Sequence, residues 1–199
     1  MKHSKPKVIL IDIMETVVVE PYLRVMPHFF DMTPSAFMEQ KHPTAWIDFE
    51  RGKLTEKEYF QSFFSDGRAI DGEGLKGAMY TAYDWLPGMQ DLLTRLVSAG
   101  YPLYALSNYA IWYQMIEQKL NLSRYLHWDF VSCHTGHRKP EAAAYRHVAA
   151  TLHLKLEECL FIDDRQVNID GAKQIGMPAI LFTGSGELER ILVDAGVID

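Results

Sequence analysis

The chain has 199 residues, 48% of them apolar and 23% charged, with a formal net charge of −6. That is enough for one well-buried domain with a small insert, and it is an ordinary water-soluble composition. No Lys/Arg run marks one face, which argues against nucleic acid as the main partner, and no apolar run approaches membrane-spanning length.

The chain opens on a short polar lead, residues 1–7, unlike a signal peptide. Residues 8–13 predict a buried strand: the run Val8-Ile9-Leu10-Ile11 ends in Asp12, and Thr16 follows. A carboxylate at the end of a buried strand is costly unless it is paired or binds a metal. Residues 20–83 are helical in pattern and rich in aromatics, with no clear strand, and read as an insert over the sheet edge. From there strands and helices alternate. Strands are expected at 103–106, 128–132, 159–162 and 179–182, and helices at 89–99, 111–120, 141–152, 167–175 and 187–195. The helix at 89–99 stops at Gly100 and the one at 167–175 at Gly176, both at C-cap positions. This alternation predicts an α/β fold, a doubly wound parallel sheet with helices on both faces. Cys159-Leu160-Phe161-Ile162 ends in two carboxylates, Asp163 and Asp164. Two buried strands ending in Asp point to one site at the carboxyl edge of the sheet. Clustered carboxylates repel one another, so a hard cation such as Mg²⁺ is their natural partner.

Four features occur in order: Asp12-Ile13-Met14-Glu15-Thr16, Ser107-Asn108, Lys139-Pro140 and Asp163-Asp164. Singly, each has a plain structural reading: a turn for Ser107-Asn108, a surface lysine for Lys139, a helix cap for Asp163-Asp164. Together they resemble the four motifs of the haloacid dehalogenase superfamily, whose members are mostly Mg²⁺-dependent phosphohydrolases. The resemblance spans the chain. The Asp-x-Met-acid-Thr opening, Lys41-His42-Pro43, Phe64-Ser65-Asp66-Gly67-Arg68, Asn108-Tyr109 and Ile111-Trp112-Tyr113 look most like plant flavin mononucleotide phosphatases. The resemblance implies a Rossmann-like core, residues 1–19 and 84–199, with five parallel strands in the order 5-4-1-2-3. A helical C1 cap, residues 20–83, would open and close over it.

By that resemblance Asp12 is the nucleophile that forms an aspartyl-phosphate. Mg²⁺ would be held by Asp12, the Met14 carbonyl, Asp163 and Asp164. Lys139, the Ser107 hydroxyl and the Asn108 backbone N–H would bind the phosphoryl oxygens. One position departs from the pattern. The family's phosphatases carry a second Asp two residues after the nucleophile, as proton shuttle, and here that residue is Met14. Glu15 or a cap residue is the expected stand-in, with Glu15 pointing to solvent as the alternative.

The remaining features are less specific. Phe29, Phe60 and Phe63 read as core. Trp46, Tyr109, Trp112 and Tyr113 are candidates to stack on a flat ring such as isoalloxazine. Arg68 reads either as a contact to a second polar group of the substrate or as a surface residue. His134 and His137 lack an evident third ligand and read as a loop rather than a zinc site. Gly184-Ser185-Gly186 reads as a turn rather than an anion site. Cys133 and Cys159 are expected as reduced core thiols of a cytoplasmic protein, with a plastid origin left open by the plant resemblance.

The leading expectation is therefore a Mg²⁺-dependent phosphomonoesterase acting on a small-molecule phosphate ester such as flavin mononucleotide, as a monomer or homodimer. A 2-haloacid dehalogenase-like enzyme and a catalytically weak binding protein on the same fold are the alternatives. The Asp163-Asp164 pair argues against the first, and retention of the Asp12 nucleophile against the second.

Overall fold

The computed structural model describes residues 5–199, so the first four residues of the polar lead lie outside the described part. Five strands form one sheet: β1 (Val8–Ile11), β2 (Leu103–Ser107), β3 (His127–Val131), β4 (Cys159–Asp163) and β5 (Ala179–Leu181). All neighbours pair parallel in the order β3-β2-β1-β4-β5, which is the expected order read from the other edge. β1 is central, with Ile11 opposite Ala105 on one side and Ile162 on the other. Its unbroken apolar run follows from burial on both faces. Ile9 and Ile11 face one apolar cluster, and Val8 and Leu10 face the other. The second cluster is closed by Tyr145 and Val148 of helix α9 (Ala142–Thr151) and by Ile169 and Ala172 of α10 (Gln166–Gln174).

The first cluster runs from the sheet into the helical insert. The insert holds α1 (Tyr22–Phe29), α2 (Pro34–Gln40), α3 (Ala45–Glu50), α4 (Glu56–Gln61) and α5 (Gly72–Ala82). Local sequence starts these helices. Thr33 caps α2 ahead of Pro34, Thr55 and Glu58 form a capping box on α4, and Asp71 accepts from the Gly74 N–H to cap α5. The core resumes with α6 (Met89–Ser98), α7 (Tyr113–Leu120), the short α8 (Ser132–Thr135) and, at the end of the chain, α11 (Ser185–Asp194).

Most boundaries fall within a residue of expectation; β1 stops at Ile11, two residues short, and three others show a visible shift or cause. Ser132 opens α8 instead of ending β3, because its hydroxyl is drawn to the Glu50 carbonyl at 2.6 Å. Ile111 and Trp112 form a turn ahead of α7. Ser185 begins α11, its hydroxyl bonded to the Pro87 carbonyl at 2.8 Å.

Insert and core meet closely beside α3. A Cβ on Gly52 would lie 2.2 Å from the Cys133 carbonyl oxygen, so only glycine fits this crossing. Arg51 pairs with Glu141, and Arg138 with Glu50, across the same seam. Both cysteines are free thiols. Among the described residues, no helix is long and apolar enough to cross a membrane.

Candidate active site

Three adjacent strands of the sheet, β2, β1 and β4, lead to the same edge: β2 ends in Ser107, β4 ends in Asp163, and Asp12 directly follows β1. The central strand delivers Asp12, whose N–H continues the ladder to the Ile162 carbonyl at 2.9 Å. Asp12, Asp163 and Asp164 bring carboxylate oxygens within 4.8 Å of one another, the single such group of potential metal ligands among the described residues. His134 and His137 belong to no such group. The first bonds the Tyr113 hydroxyl, and the second packs on His147.

Lys139 is only 2% exposed. Its Nζ lies 2.9 Å from Asp12 Oδ1 and 2.6 Å from Asp163 Oδ2. Burial works against the ammonium, and the two carboxylates more than offset it, so Lys139 stays charged. Its place is set by Asn108, whose side chain clamps the Lys139 backbone. Oδ1 accepts from the Lys139 N–H at 2.8 Å, and Nδ2 donates to the Lys139 carbonyl at 2.9 Å. Burial pushes the Asp12 carboxyl up; Lys139 pulls it back, and Asp163 and Asp164 push it up further. Asp12 Oδ1 takes the Ile13 N–H at 2.7 Å in addition to Lys139, whereas Oδ2 has no hydrogen-bond partner among the described residues.

The two late aspartates divide their work. Asp163 is wholly buried and saturated: Oδ1 accepts from the Arg165 N–H and Asn168 Nδ2, and Oδ2 from Lys139 and Asn168 Nδ2. Asp164 meets no side-chain donor among the described residues and lines the cleft. Burial and the neighbouring Asp163 raise its carboxyl.

That cleft, of about 360 Å³, is lined by Asp12, Met14, Glu15, Asn108, Lys139 and Asp164 of the expected set. Glu20, Leu23, Glu50, Arg138, Arg165 and Asn168 complete it. Five carboxylates face three cations on its walls. An excess of acid repels a phosphate dianion unless a further cation is present, so this donor set fits a divalent ion bound by hard oxygens. Ser107 is buried with a hydroxyl that finds no partner, as is the Thr16 hydroxyl. Asn168 Oδ1 is likewise buried without a partner; of the three residues only Asn168 lines the cleft, and Ser107 stands at the end of β2.

Several aromatic expectations are corrected by the packing. Tyr109 and Trp112 are 1% and 2% exposed. Phe49, Tyr59 and Phe60 pack on Trp112, and Trp46 packs on both residues. Tyr109 bonds the Tyr83 hydroxyl at 2.8 Å, and Trp112 Nε1 bonds Glu56 at 2.6 Å. They form the joint between insert and sheet and have no free face for a ring. Trp46 is half-buried in the same cluster, its Nε1 held by Glu50 at 2.6 Å, and Tyr113 lies against Trp128. Arg68 is bound to Asp66 and Gln40 and stacks on Phe64, away from the cleft. Trp112→Ala is accordingly expected to lower stability by about 3–5 kcal/mol, in urea unfolding, rather than to raise KM selectively at full fold.

Glu15 stands on the cleft wall with left-handed backbone (φ 53°). Its Oε1 accepts from the Glu20 N–H at 2.9 Å, and Arg24 lies 3.9 Å away. The residues not foreseen are Glu20, Leu23, Glu50, Arg138, Arg165 and Asn168. Glu50 is 5% exposed, bonded to Trp46 Nε1 and, at 2.8 Å, to Arg138 Nε. Glu20 carried a readable signal, for it ends the apolar run Val17-Val18-Val19 just as Asp12 ends its own.

A family model for haloacid dehalogenase-like hydrolases matches residues 6–176. The chain belongs to this family. Over 196 residues it is 42% identical to flavin mononucleotide hydrolase 1 of Arabidopsis thaliana, a protein named as chloroplastic, covering 98% of this chain and 80% of that one. A crystal structure of a haloacid dehalogenase family enzyme from Bacteroides thetaiotaomicron shares the fold, with a TM-score of 0.78 at 19% identity over 95% of this chain and 99% of that one. The same bacterial enzyme in complex with magnesium and inorganic phosphate aligns with a TM-score of 0.72 at 19% identity, over 90% of this chain and 95% of that one. The chain is thus a hydrolase of the haloacid dehalogenase family.

Proposed function

We propose that this hydrolase is a Mg²⁺-dependent phosphomonoesterase that works through an aspartyl-phosphate on Asp12, with flavin mononucleotide as its substrate. The observation that carries the reading is the state of Asp12: one oxygen is fixed by two donors, the other has no hydrogen-bond partner among the described residues, and the carboxylate sits with Asp164 on the cleft wall. Fixing one oxygen orients the other for attack on phosphorus. Lys139 holds positive charge at the attacking carboxylate, and Asn108 keeps Lys139 in place. Ser107, at the end of β2, would turn its unpartnered hydroxyl to a phosphoryl oxygen. Asp12, the Met14 carbonyl and Asp164 would hold Mg²⁺, with Asp163 behind them fixing Lys139, because both Asp163 oxygens are already taken. When bound, the ion supplies charge that offsets the repulsion between carboxylate and phosphate. The helical insert at residues 20–83 acts as the cap, contributing Glu20, Leu23 and Glu50 to the cleft.

A 2-haloacid dehalogenase has no use for a free Asp164 beside the nucleophile, and a pure binding protein has none for an oriented Asp12. The substrate follows the Arabidopsis relative, whose name specifies flavin mononucleotide. With Tyr109 and Trp112 buried, the exposed apolar contact at the cleft is Leu23. We place the protein in an aqueous reducing compartment, cytoplasm or plastid, in keeping with its two free thiols.

The test is phosphate release from flavin mononucleotide with Mg²⁺ and with EDTA. Release that EDTA abolishes and added Mg²⁺ restores is expected. Release indifferent to EDTA, or chloride release from 2-chloropropionate in its place, contradicts the reading.

A further inference from the structure

We propose that Glu20 is the proton donor and acceptor of this site, replacing the carboxyl that Met14 lacks; the inference deepens the phosphatase reading and rests on it. The chain after β1 folds back on itself. Met14 bridges Val18, the Glu15 N–H donates to the Val18 carbonyl at 2.8 Å, and Val18 bridges Trp85. The Val19 N–H donates to Asp84, and the Leu86 N–H to Val17. This flap returns Glu20 to the cleft that Met14 and Asp12 line. The Met14 thioether cannot exchange a proton, and a carboxyl six residues on stands in the same cavity wall.

The other carboxyls of the wall are otherwise engaged. Glu50 spends one oxygen on Trp46 and the other on Arg138; burial pushes its carboxyl up and Arg138 pulls it back, so neither oxygen is free to face a substrate. Glu15 spends Oε1 on the Glu20 N–H, with Arg24 nearby. Asp12 and Asp164 belong to the carboxylate cluster. The Glu20 carboxylate accepts one hydrogen bond, from the Tyr22 N–H to Oε1 at 3.0 Å. Among the described residues its Oε2 has no partner, and no cation pairs with it. The groups around it are Glu15 and Tyr22 of its own segment, Glu50 of α3, Asp164 after β4, and the hydroxyls of Tyr83 and Tyr109. Burial pushes its carboxyl up, the Tyr22 N–H pulls it back, and Glu50, Glu15 and Asp164 push it up again, to about 7. A group poised there can both give and take a proton near neutrality.

In the first half-reaction an Asp12 oxygen bonds to phosphorus and the ester P–O bond breaks. Glu20 gives its proton to the departing oxygen, which leaves as a neutral alcohol. In the second half, water bonds to phosphorus as Glu20, now a carboxylate, takes its proton. The P–O bond to Asp12 breaks, and inorganic phosphate and protonated Glu20 are restored.

The experiment compares wild type, Glu20→Gln, Glu20→Asp and Asp12→Asn on flavin mononucleotide, an alkyl ester, and on 4-nitrophenyl phosphate, whose leaving group needs little protonation. Glu20→Gln should lower kcat/KM on the alkyl ester by about 10²–10³-fold. On the aryl ester it should give a nitrophenol burst of one equivalent, then slow turnover, because the second half has lost its base. In wild type, kcat/KM on the alkyl ester should fall as pH rises through about 7, where Glu20 loses its proton. Glu20→Gln should lack that limb, and Glu20→Asp should recover part of the rate. Equal slowing on both esters without a burst, or a limb that persists in Glu20→Gln, overturns the role of Glu20 while leaving the phosphatase reading intact. Undiminished activity in Asp12→Asn, or no phosphate release by wild type from either ester, overturns both.

Discussion

Asp12→Asn is expected to abolish phosphate release, by roughly 10⁴-fold or more, as loss of a covalent nucleophile does when no other group can take its place. Asparagine keeps the shape of the side chain, and its carbonyl can still accept from the Ile13 N–H. What it removes is the unbonded carboxylate oxygen and the charge that meets Lys139. Lys139 retains Asp163 at 2.6 Å, so the buried ammonium is not stranded. The fold should therefore survive, with the urea unfolding midpoint near that of wild type. A variant that keeps a tenth of the wild-type rate on any phosphate ester would show that Asp12 is not the attacking group.

Lys139→Met is expected to damage both stability and activity. The lysine is almost wholly enclosed and is the cation between Asp12 and Asp163. Methionine fills much of the aliphatic stem but leaves two carboxylates facing each other in a buried site. Breaking one side of a buried ion network costs about 3–5 kcal/mol, because the remaining charges lose their partner while still shielded from water. Activity should fall by roughly 10²–10³-fold, the scale seen when a fixed electrostatic group is removed from a reacting centre. Urea unfolding and phosphate release on the same preparation check the two effects. A stability loss below about 1 kcal/mol would place Lys139 among ordinary surface pairs.

Much of the fold was legible because parallel strands buried on both faces leave unbroken apolar runs, and what ends such a run stands out. Asp12 and the Asp163-Asp164 pair were visible for that reason, Ser107 only through its motif, and the sheet brings their strands side by side. Lys139 was visible only through its motif, since a lone lysine reads as surface while this one is buried. The two late aspartates could not be told apart in sequence. Only the hydrogen bonds of Asn168, Arg165 and Lys139 show that Asp163 is internal and Asp164 faces the cleft. The aromatics were misassigned for a related reason. The sequence shows that Trp46, Tyr109 and Trp112 are large flat side chains, but not that other aromatics, distant in the chain, pack on each of them. Glu50 and Arg138, 88 residues apart, are joined only by the tertiary fold.

Rapid quench in acid during turnover of an aryl phosphate, followed by peptide mass analysis, tests the central claim most directly. A phosphoryl group on the peptide bearing Asp12, converted to homoserine at that position by borohydride and absent from Asp12→Asn, is the predicted result. Steady phosphate release with no covalent species at any quench time, or with the phosphoryl group on another residue, would contradict it.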